Sequence, residues 1–156
     1  MTWTHPKTWT AGEVVGETDL NVNLRDNLVA LKEPPHGQVI WQLSADSFSY
    51  NGTAFTAIAS GLSATINTHG GTVFCHFNAA IKTNGAAYFN LESDGSAFIS
   101  AGDRGLGQNH TGAYTLPITG LPSGTHTFRP TWRGNGSDAV KLASGTIVTF
   151  WAREIS

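Results

Sequence analysis

Residues 72–81 read Thr-Val-Phe-Cys-His-Phe-Asn-Ala-Ala-Ile, and the character of the side chains alternates along this run. Successive side chains of a β-strand point to opposite faces of its sheet. The more apolar set is therefore predicted to face a core: Val73, Cys75, Phe77, Ala79 and Ile81. The opposite face carries Phe74, His76, Asn78 and Ala80. The run predicts a long strand, and the rest of the chain is interpreted outward from it.

Similar short runs of β-branched and aromatic residues recur after residue 35, separated by turn residues such as Asn84-Gly85 and Asp94-Gly95. Asn-Gly and Asp-Gly favour the type I′ turn that joins twisted antiparallel strands. This regular pattern is typical of an all-β sandwich or barrel. The predicted strands are 39–43, 54–58, 63–67, 72–81, 86–92, 96–100, 114–119, 124–133 and 146–155.

The closing strand is apolar on both sides. Val148, Phe150 and Ala152 share one face, and Ile147, Trp151 and Ile155 share the other. A strand of this kind is usually covered on both faces. The second cover comes either from the rim of the partner sheet or from another subunit.

The first 35 residues follow a different pattern. Residues 2–17 have no helical or alternating period, which predicts an extended arm. Thr18 or Asp19 is predicted to cap a helix that runs through Lys32 and ends before Pro34-Pro35. The helix carries an apolar stripe of four residues: Leu20, Leu24, Leu28 and Leu31.

A helix of about thirteen residues is marginal alone in water, so the leucine stripe needs a partner surface. Three partners remain open: its own domain, a second copy around a twofold or threefold axis, or another protein. The arm presents the same choice. Its large side chains either fold back or act as binding anchors: Trp3, Trp9, Val14 and Val15.

Charged residues make up only 13% of the 156-residue chain, about half of the usual share. Residues 1–35 hold three basic and five acidic side chains, a net charge of −2, and residues 36–156 hold six of each. This balance predicts no nucleic-acid partner and no anionic membrane partner. No apolar run reaches the roughly 20 residues of a bilayer span, and the polar start is no signal peptide. The single Cys75 excludes an internal disulfide and favours assembly in a cytoplasm.

No catalytic motif stands out, and we expect neither an enzyme nor a cofactor. Six histidines are scattered without metal-ligand spacing. His76 is either a solvated surface residue or, in a trimer, a residue that lines the axis. Glu92 and Asp94 lie two positions apart, as paired carboxylates of glycosidases can, but Asp94-Gly95 is better explained as a turn. The tip loops 102–112 and 134–138 are polar and carry nothing diagnostic.

The amino-terminal residues carry a resemblance. They read Trp3-Thr-His-Pro-Lys-Thr-Trp-Thr-Ala-Gly-Glu-Val-Val15 and then Asp19-Leu-Asn-Val-Asn-Leu-Arg-Asp-Asn-Leu-Val-Ala-Leu-Lys32. This stretch resembles a pattern at the amino terminus of tailed-bacteriophage structural proteins, and it departs from that pattern at Gly16-Glu17, where small residues are more usual. The resemblance implies an attachment role in a virion for residues 1–35.

The remainder, residues 36–156, resembles the jelly-roll head modules of such proteins, which are similar in outline to the tumour-necrosis-factor and complement-globular families. The pieces that carry this looser resemblance are 72–82, 86–95, 120–133 and 147–155. It implies a jelly-roll β-sandwich, a homotrimer and a non-catalytic virion role. On that basis Phe74, His76, Trp151 and Ile155 are predicted to lie at the trimer interface.

The resulting expectation is a virion protein, assembled in a host cytoplasm, whose arm and leucine stripe dock on the major capsid protein or another virion protein. A fully extended arm of 35 residues reaches at most roughly 115 Å. It contains no shaft repeat, which favours a capsid decoration protein. The alternative is a short tail-fibre or receptor-binding protein whose tip loops bind a host glycan or protein.

Overall fold

The computed structural model describes residues 7–28, 34–98, 104–106 and 111–155. Within these residues the chain forms a short helical segment and twelve strands, all paired antiparallel in two sheets. The strands are β1 (His36–Gln42), β2 (Ser47–Tyr50), β3 (Thr56–Ala57), β4 (Ala64–Thr68), β5 (Thr72–Lys82), β6 (Ala87–Ser93), β7 (Ser96–Phe98), β8 (Arg104–Leu106), β9 (Thr111–Ile118), β10 (Gly124–Arg133), β11 (Val140–Leu142) and β12 (Ile147–Ile155).

Several of these strands are consecutive pieces of one strand position. β11 and β12 both pair with the same long strand β5. On their other side, β2 pairs with β11 and β1 pairs with β12. In the second sheet, β3 and β4 both pair with β10, while β7 and β8 both pair with β6. The twelve described strands therefore occupy eight positions, four in each sheet.

Numbered along the chain, the eight positions lie in the order 1-8-3-6 in the first sheet and 2-7-4-5 in the second. Sequence neighbours thus alternate between the two sheets except at the hairpin between positions 4 and 5. This is the connectivity of a double-sheet jelly roll. The predicted all-β sandwich with a short amino-terminal helix is confirmed.

The predicted core face of β5 is buried, with exposed fractions of 0–2% from Val73 to Ile81. Its Phe77 packs against Phe89 of the other sheet, with ring centroids 5.6 Å apart. Tyr114 completes this aromatic cluster and donates a hydrogen bond to the Asn90 carbonyl oxygen at 3.2 Å. Burial raises the pKa of Tyr114, so its hydroxyl stays protonated and remains a donor. The two sheets are held by interdigitated apolar side chains, as in other sandwiches.

The connection between β4 and β5 is held by a buried carboxylate. Glu154 is 2% exposed and accepts the backbone N–H of His69 at 2.9 Å and that of Gly71 at 2.7 Å. Its other oxygen lies 3.1 Å from Nδ1 of the His69 ring. A side chain at Gly71 would meet the Ile155 carbonyl oxygen at 2.7 Å, so glycine is required there.

The Asp94-Gly95 pair forms the predicted two-residue turn. Its φ angles are 51° and 81°, both in the left-handed region, and Ser93 pairs with Ser96 across it. These are the features of a type I′ hairpin. In contrast, strands β2, β8 and β11 were not predicted, because each has only three or four residues and no room for a periodic pattern.

The amino-terminal helix departs from its prediction. It begins after Gly16 with an α-helical turn, α1 (Glu17–Leu20), and continues as a π-helix over Asn21–Asp26. Thr18 and Asp19 lie inside the helix, so the predicted capping role is wrong; no side chain caps it. No helix among the described residues is long and apolar enough to cross a bilayer.

Two asparagines explain the π-helix. The side-chain amide of Asn23 donates to the Asp19 carbonyl oxygen at 3.1 Å, and that of Asn27 donates to the Asn23 carbonyl oxygen at 3.2 Å. In an α-helix these carbonyls accept the backbone N–H four residues later. Because side chains compete for these acceptors, the backbone shifts toward the wider i→i+5 pattern.

Candidate functional site

The outer face of the first sheet carries few charges over most of its width and exposes several large apolar side chains. We call it the sheet-one face and define it as the outward side chains of β1, β12, β9 and residues 72–80 of β5. Arg153 is the one Lys, Arg, Asp or Glu among these described outward positions. Ile40, Ile147 and Ile155 are 59%, 59% and 49% exposed on it. Exposed large apolar side chains that share one face make that face a candidate interaction surface.

The four residues predicted for a trimer interface lie on this face. His76 pairs with Trp151, and Phe74 pairs with Arg153, across the β5–β12 ladder. The His76 and Trp151 rings are stacked, with centroids 5.2 Å apart and planes 17° from parallel. His76 Nδ1 also lies 2.9 Å from the Thr115 hydroxyl on β9. Ile155 stands at the far end of β12, so the structure places all four on one surface.

A groove of about 460 Å³ opens beside Trp151. The cross-strand pair of Trp151 and Gln38 forms one side of the groove, and the pair of Arg153 and His36 forms the other side. Pro34 lies at the end of the groove. The paired residues Gly37 and Ala152 form its floor through their backbone, because a side chain at either position points to the core side of the sheet. The groove makes the sheet-one face concave at one side, where a protruding side chain can enter.

The outer face of the second sheet differs in charge. Arg129 pairs with Glu92 across the β10–β6 ladder, and the Arg133 guanidinium lies 3.9 Å from the Tyr88 ring centroid. Thr65 and Thr127 share a hydrogen bond of 2.8 Å on the same face. Charged and hydroxyl groups therefore cover this face, which is suited to contact with water. The two outer faces of the sandwich are chemically unequal.

The candidate carboxylate pair does not form one site. Glu92 is held by Arg129, while Asp94 accepts the Thr127 backbone N–H at 2.7 Å and lies 2.6 Å from His126 Nδ1. The Asp94 hydrogen bond raises the pKa of His126 against the opposing effect of burial. Partial burial raises the pKa of Asp94, but its hydrogen bonds to Thr127 and His126 leave it lower than usual. Glu92 and Asp94 thus each contact residues of β10, and they hold the end of the β6–β7 hairpin against that strand.

We expect Asp94→Asn to flatten the pH dependence of stability. His126 has a raised pKa, so its contribution is present below about pH 6.5 and is lost as the pH rises through the folded-state value. Asp94 has a lowered pKa, so its contribution is present above about pH 3.8 and is lost as the pH falls. The pair therefore stabilises most between these limits, by an amount of order 1 kcal/mol because the carboxylate is partly solvated.

Thermal unfolding from pH 4 to 9 measures this effect. Asparagine tolerates the positive φ of position 94, so the turn itself survives the substitution. The difference between the wild type and the variant should be largest near pH 5–6 and shrink above pH 7. A constant difference over the whole range would show that the carboxylate acts without the histidine.

Among the described residues, no three His, Cys, Asp or Glu side chains converge where they could share a metal ion. Cys75 is buried in the core, and burial raises the pKa of its thiol. Nothing in the described part of the chain thus suggests a resident metal.

The second uncovered surface belongs to the amino-terminal segment. Trp9, Val15, Leu20 and Leu24 line a cleft of about 290 Å³ together with Asp19 and Asn23. These four apolar residues were predicted to dock on another protein, and the structure brings them together. Leu28 is 57% exposed and Val14 is 88% exposed, but neither lines the cleft. The predicted docking residues Trp3 and Leu31 lie outside the described residues.

Sequence reasoning missed two features of these surfaces. The groove beside Trp151 depends on the β1–β12 register, which pairs Gln38 with Trp151 although the two residues lie 113 positions apart. The packing of the arm against the helix depends on the contacts of Lys7. In the sequence this lysine looks like an ordinary isolated charge.

No protein-family model matches the chain, and no curated protein matches it significantly. Solved structures show weak similarity to its β-sandwich. One is dimeric latent PorU from Porphyromonas gingivalis, with a TM-score of 0.38 and 11% identity over 78% of this chain and 13% of that protein.

Another similar structure is the CBM36-1 domain of a multidomain xylanase from the hindgut metagenome of Trinervitermes trinervoides, with a TM-score of 0.38 and 14% identity over 76% of this chain and 98% of that domain. A structure of the infectious bursal disease virus Gx strain gives a TM-score of 0.40 and 16% identity over 78% of this chain and 36% of that one. The β-sandwich described above is thus weakly similar to these three solved structures.

Proposed function

We propose that the protein is a structural component of a tailed-bacteriophage particle, a homotrimeric jelly-roll head attached through its amino-terminal segment, and that it decorates the capsid. The observation that carries the proposal is the inequality of the two outer faces. The sheet-one face presents three isoleucines and Trp151 with one formal charge, while the opposite face carries the Arg129–Glu92 ion pair, Arg133 and hydroxyl groups.

Burial in a trimer accounts for that inequality. In a closed cyclic assembly each subunit contacts two neighbours, so a wide apolar face of each sandwich leaves water. The polar second face then forms the outside of the trimer. The amino-terminal segment supplies a separate uncovered apolar surface, so attachment to a particle and self-association use different parts of the chain.

The connection between the two parts favours the capsid location. β1 begins at His36, directly after the double proline, and the sequence has no shaft repeat between the segment and the head. Such a head sits close to the surface that holds its arm. That arrangement suits a protein that bridges neighbouring shell subunits and stabilises them by mass action.

Deleting residues 1–33 is expected to leave a folded, self-associating head that no longer joins the particle. The jelly-roll core lies after this cut, so the unfolding temperature of the head should change little. The measurement is the number of copies per purified particle, with a full-length Thr125→Lys variant as the control on the polar outer face. Normal incorporation of the truncated protein would contradict the attachment role, and a copy number below a few dozen would contradict the capsid location.

A short tail-fibre or receptor-binding protein is the second candidate, and a loop at one end of the sandwich favours it. Asn135 accepts the backbone N–H groups of Ser137 and Asp138 at 3.0 and 2.9 Å, which holds the exposed loop 134–138 in one shape. The purified protein should then compete with particles for adsorption to cells. Stable particles without the protein that fail to adsorb would support this candidate over the first.

A further inference from the structure

The amino-terminal segment, residues 7–28, folds as a small unit around Lys7. The Lys7 ammonium lies 2.5 Å from Glu13 Oε1 and 3.6 Å from Asp19 Oδ1, and it stands 4.5 Å from the Trp9 ring centroid. The Lys7 backbone N–H donates to the Asn23 side-chain oxygen at 3.2 Å. Lys7 thus links the irregular arm to Asp19 in the α-helical turn and to Asn23 in the π-helix.

This fold-back creates the apolar cleft. Trp9 and Val15 come from the arm, while Leu20 and Leu24 come from the helix, so the cleft exists only when the two parts are joined. Its volume of about 290 Å³ is at the small end of ligand pockets. It has room for one large apolar side chain. Its walls keep Trp9 39%, Leu20 50% and Leu24 56% exposed in the absence of an occupant.

The charge around the cleft selects among occupants. Residues 7–28 contain two basic and four acidic side chains, so the unit carries 2 − 4 = −2. Lys7 is engaged with Glu13 and Asp19, and Arg25 is engaged with Asp26 at 2.9 Å. A second copy of the unit brings the same negative charge and is repelled, whereas a basic surface is attracted.

We propose that this cleft binds one large apolar side chain that a different protein presents on a surface rich in lysine and arginine. The inference rests on the proposed function, in which the amino-terminal segment attaches the head to a particle. It adds the chemistry of the partner. A preformed cleft also limits the ordering cost of binding, since the arm and helix are already joined by Lys7.

The test uses the full-length protein and two capped five-residue peptides, one with phenylalanine between two pairs of lysines and one with phenylalanine between two pairs of glutamates. The probe is the indole N–H signal of Trp9 in a heteronuclear NMR spectrum. We expect the lysine peptide to shift this signal at a concentration at least tenfold lower than the glutamate peptide. Raising the salt concentration should reduce that difference.

Variants separate the apolar cleft from its charge. Leu24→Ser should abolish the shift, and Glu17→Lys, which leaves the cleft lining intact, should weaken lysine-peptide binding at least threefold. Val14→Ser is the matched control, because this exposed valine lies outside the cleft. Equal binding of both peptides, an unchanged shift in Leu24→Ser, or a Trp9 shift that depends on protein concentration alone would overturn the proposal.

The outcomes also separate this inference from the proposed function. If deletion of residues 1–33 blocks incorporation but neither peptide moves the Trp9 signal, the cleft proposal falls and the attachment role stands. If the lysine peptide binds as expected but the protein is absent from purified particles, the proposed virion function falls and the cleft stands.

Discussion

Replacing Glu154 by alanine should lower the free energy of unfolding by about 3 kcal/mol. The carboxylate is the acceptor for two backbone N–H groups, those of His69 and Gly71, at 2.9 and 2.7 Å. Each buried donor that loses its partner costs about 1–3 kcal/mol, because water cannot replace the bond inside the protein. The loss is a large part of the 5–15 kcal/mol that stabilises a typical domain. Urea denaturation followed by tryptophan fluorescence measures it.

Glu154→Gln is the matched variant. A glutamine keeps one oxygen where both backbone N–H groups can reach it, and its amide can donate to His69 Nδ1. We therefore expect a loss of about 1 kcal/mol or less for this change. If glutamine were as damaging as alanine, the negative charge would matter more than the backbone bonds. A loss below about 1 kcal/mol for alanine would show that the carboxylate does not hold the connection.

Glu154 also shows where sequence reasoning stops. The alternation along the closing strand put Val148, Phe150 and Ala152 on one face without deciding which face is inside. The structure buries this face, and two more positions along it lead to Glu154. An acidic residue at an inward position has no periodic signature, and its partners lie 83 and 85 positions away in the chain. The need for a buried acceptor arises only when β4 and β12 are brought together.

The long strands were more predictable than the short ones. β5 carries enough alternating positions to reveal its buried face, and Asp94-Gly95 has the chemistry of one particular turn. Short strands such as β2 and β11 are stabilised by their neighbours, so their residues need no strong pattern of their own. The π-helix likewise depends on side-chain amides that compete with the backbone, and helix propensity does not describe that competition.

The candidate site was predicted in part. Strand parity alone puts Phe74 with His76 and Trp151 with Ile155, because members of each pair are an even number of positions apart. That the two pairs share one face follows from the β5–β12 register, in which His76 lies opposite Trp151. Register between strands so distant in sequence is a tertiary property. The cleft on residues 7–28 is tertiary in the same way, since it depends on the contact between Lys7 and Asn23.

Trp151→Glu should dissociate the proposed trimer into monomers. Trp151 stacks on His76 near the middle of the sheet-one face and forms one wall of its groove, a position typical of residues that dominate binding energy. Losing such a residue costs at least about 2 kcal/mol, or roughly thirtyfold in the dissociation constant. A buried, unpaired carboxylate adds a further desolvation penalty at each interface of the trimer.

Sedimentation equilibrium of full-length protein measures this change. Thr125→Glu is the control, because Thr125 is an exposed outward residue of β10 on the polar face and its substitution should leave the trimer intact. The fold should survive Trp151→Glu, since the core side chains Phe150 and Ala152 point to the opposite side of β12. A monomeric wild type, or a trimer that Thr125→Glu disrupts as strongly as Trp151→Glu, would mean that the apolar face does not mediate self-association. A partner other than a second copy of this chain would then have to cover the sheet-one face to explain why the two outer faces differ.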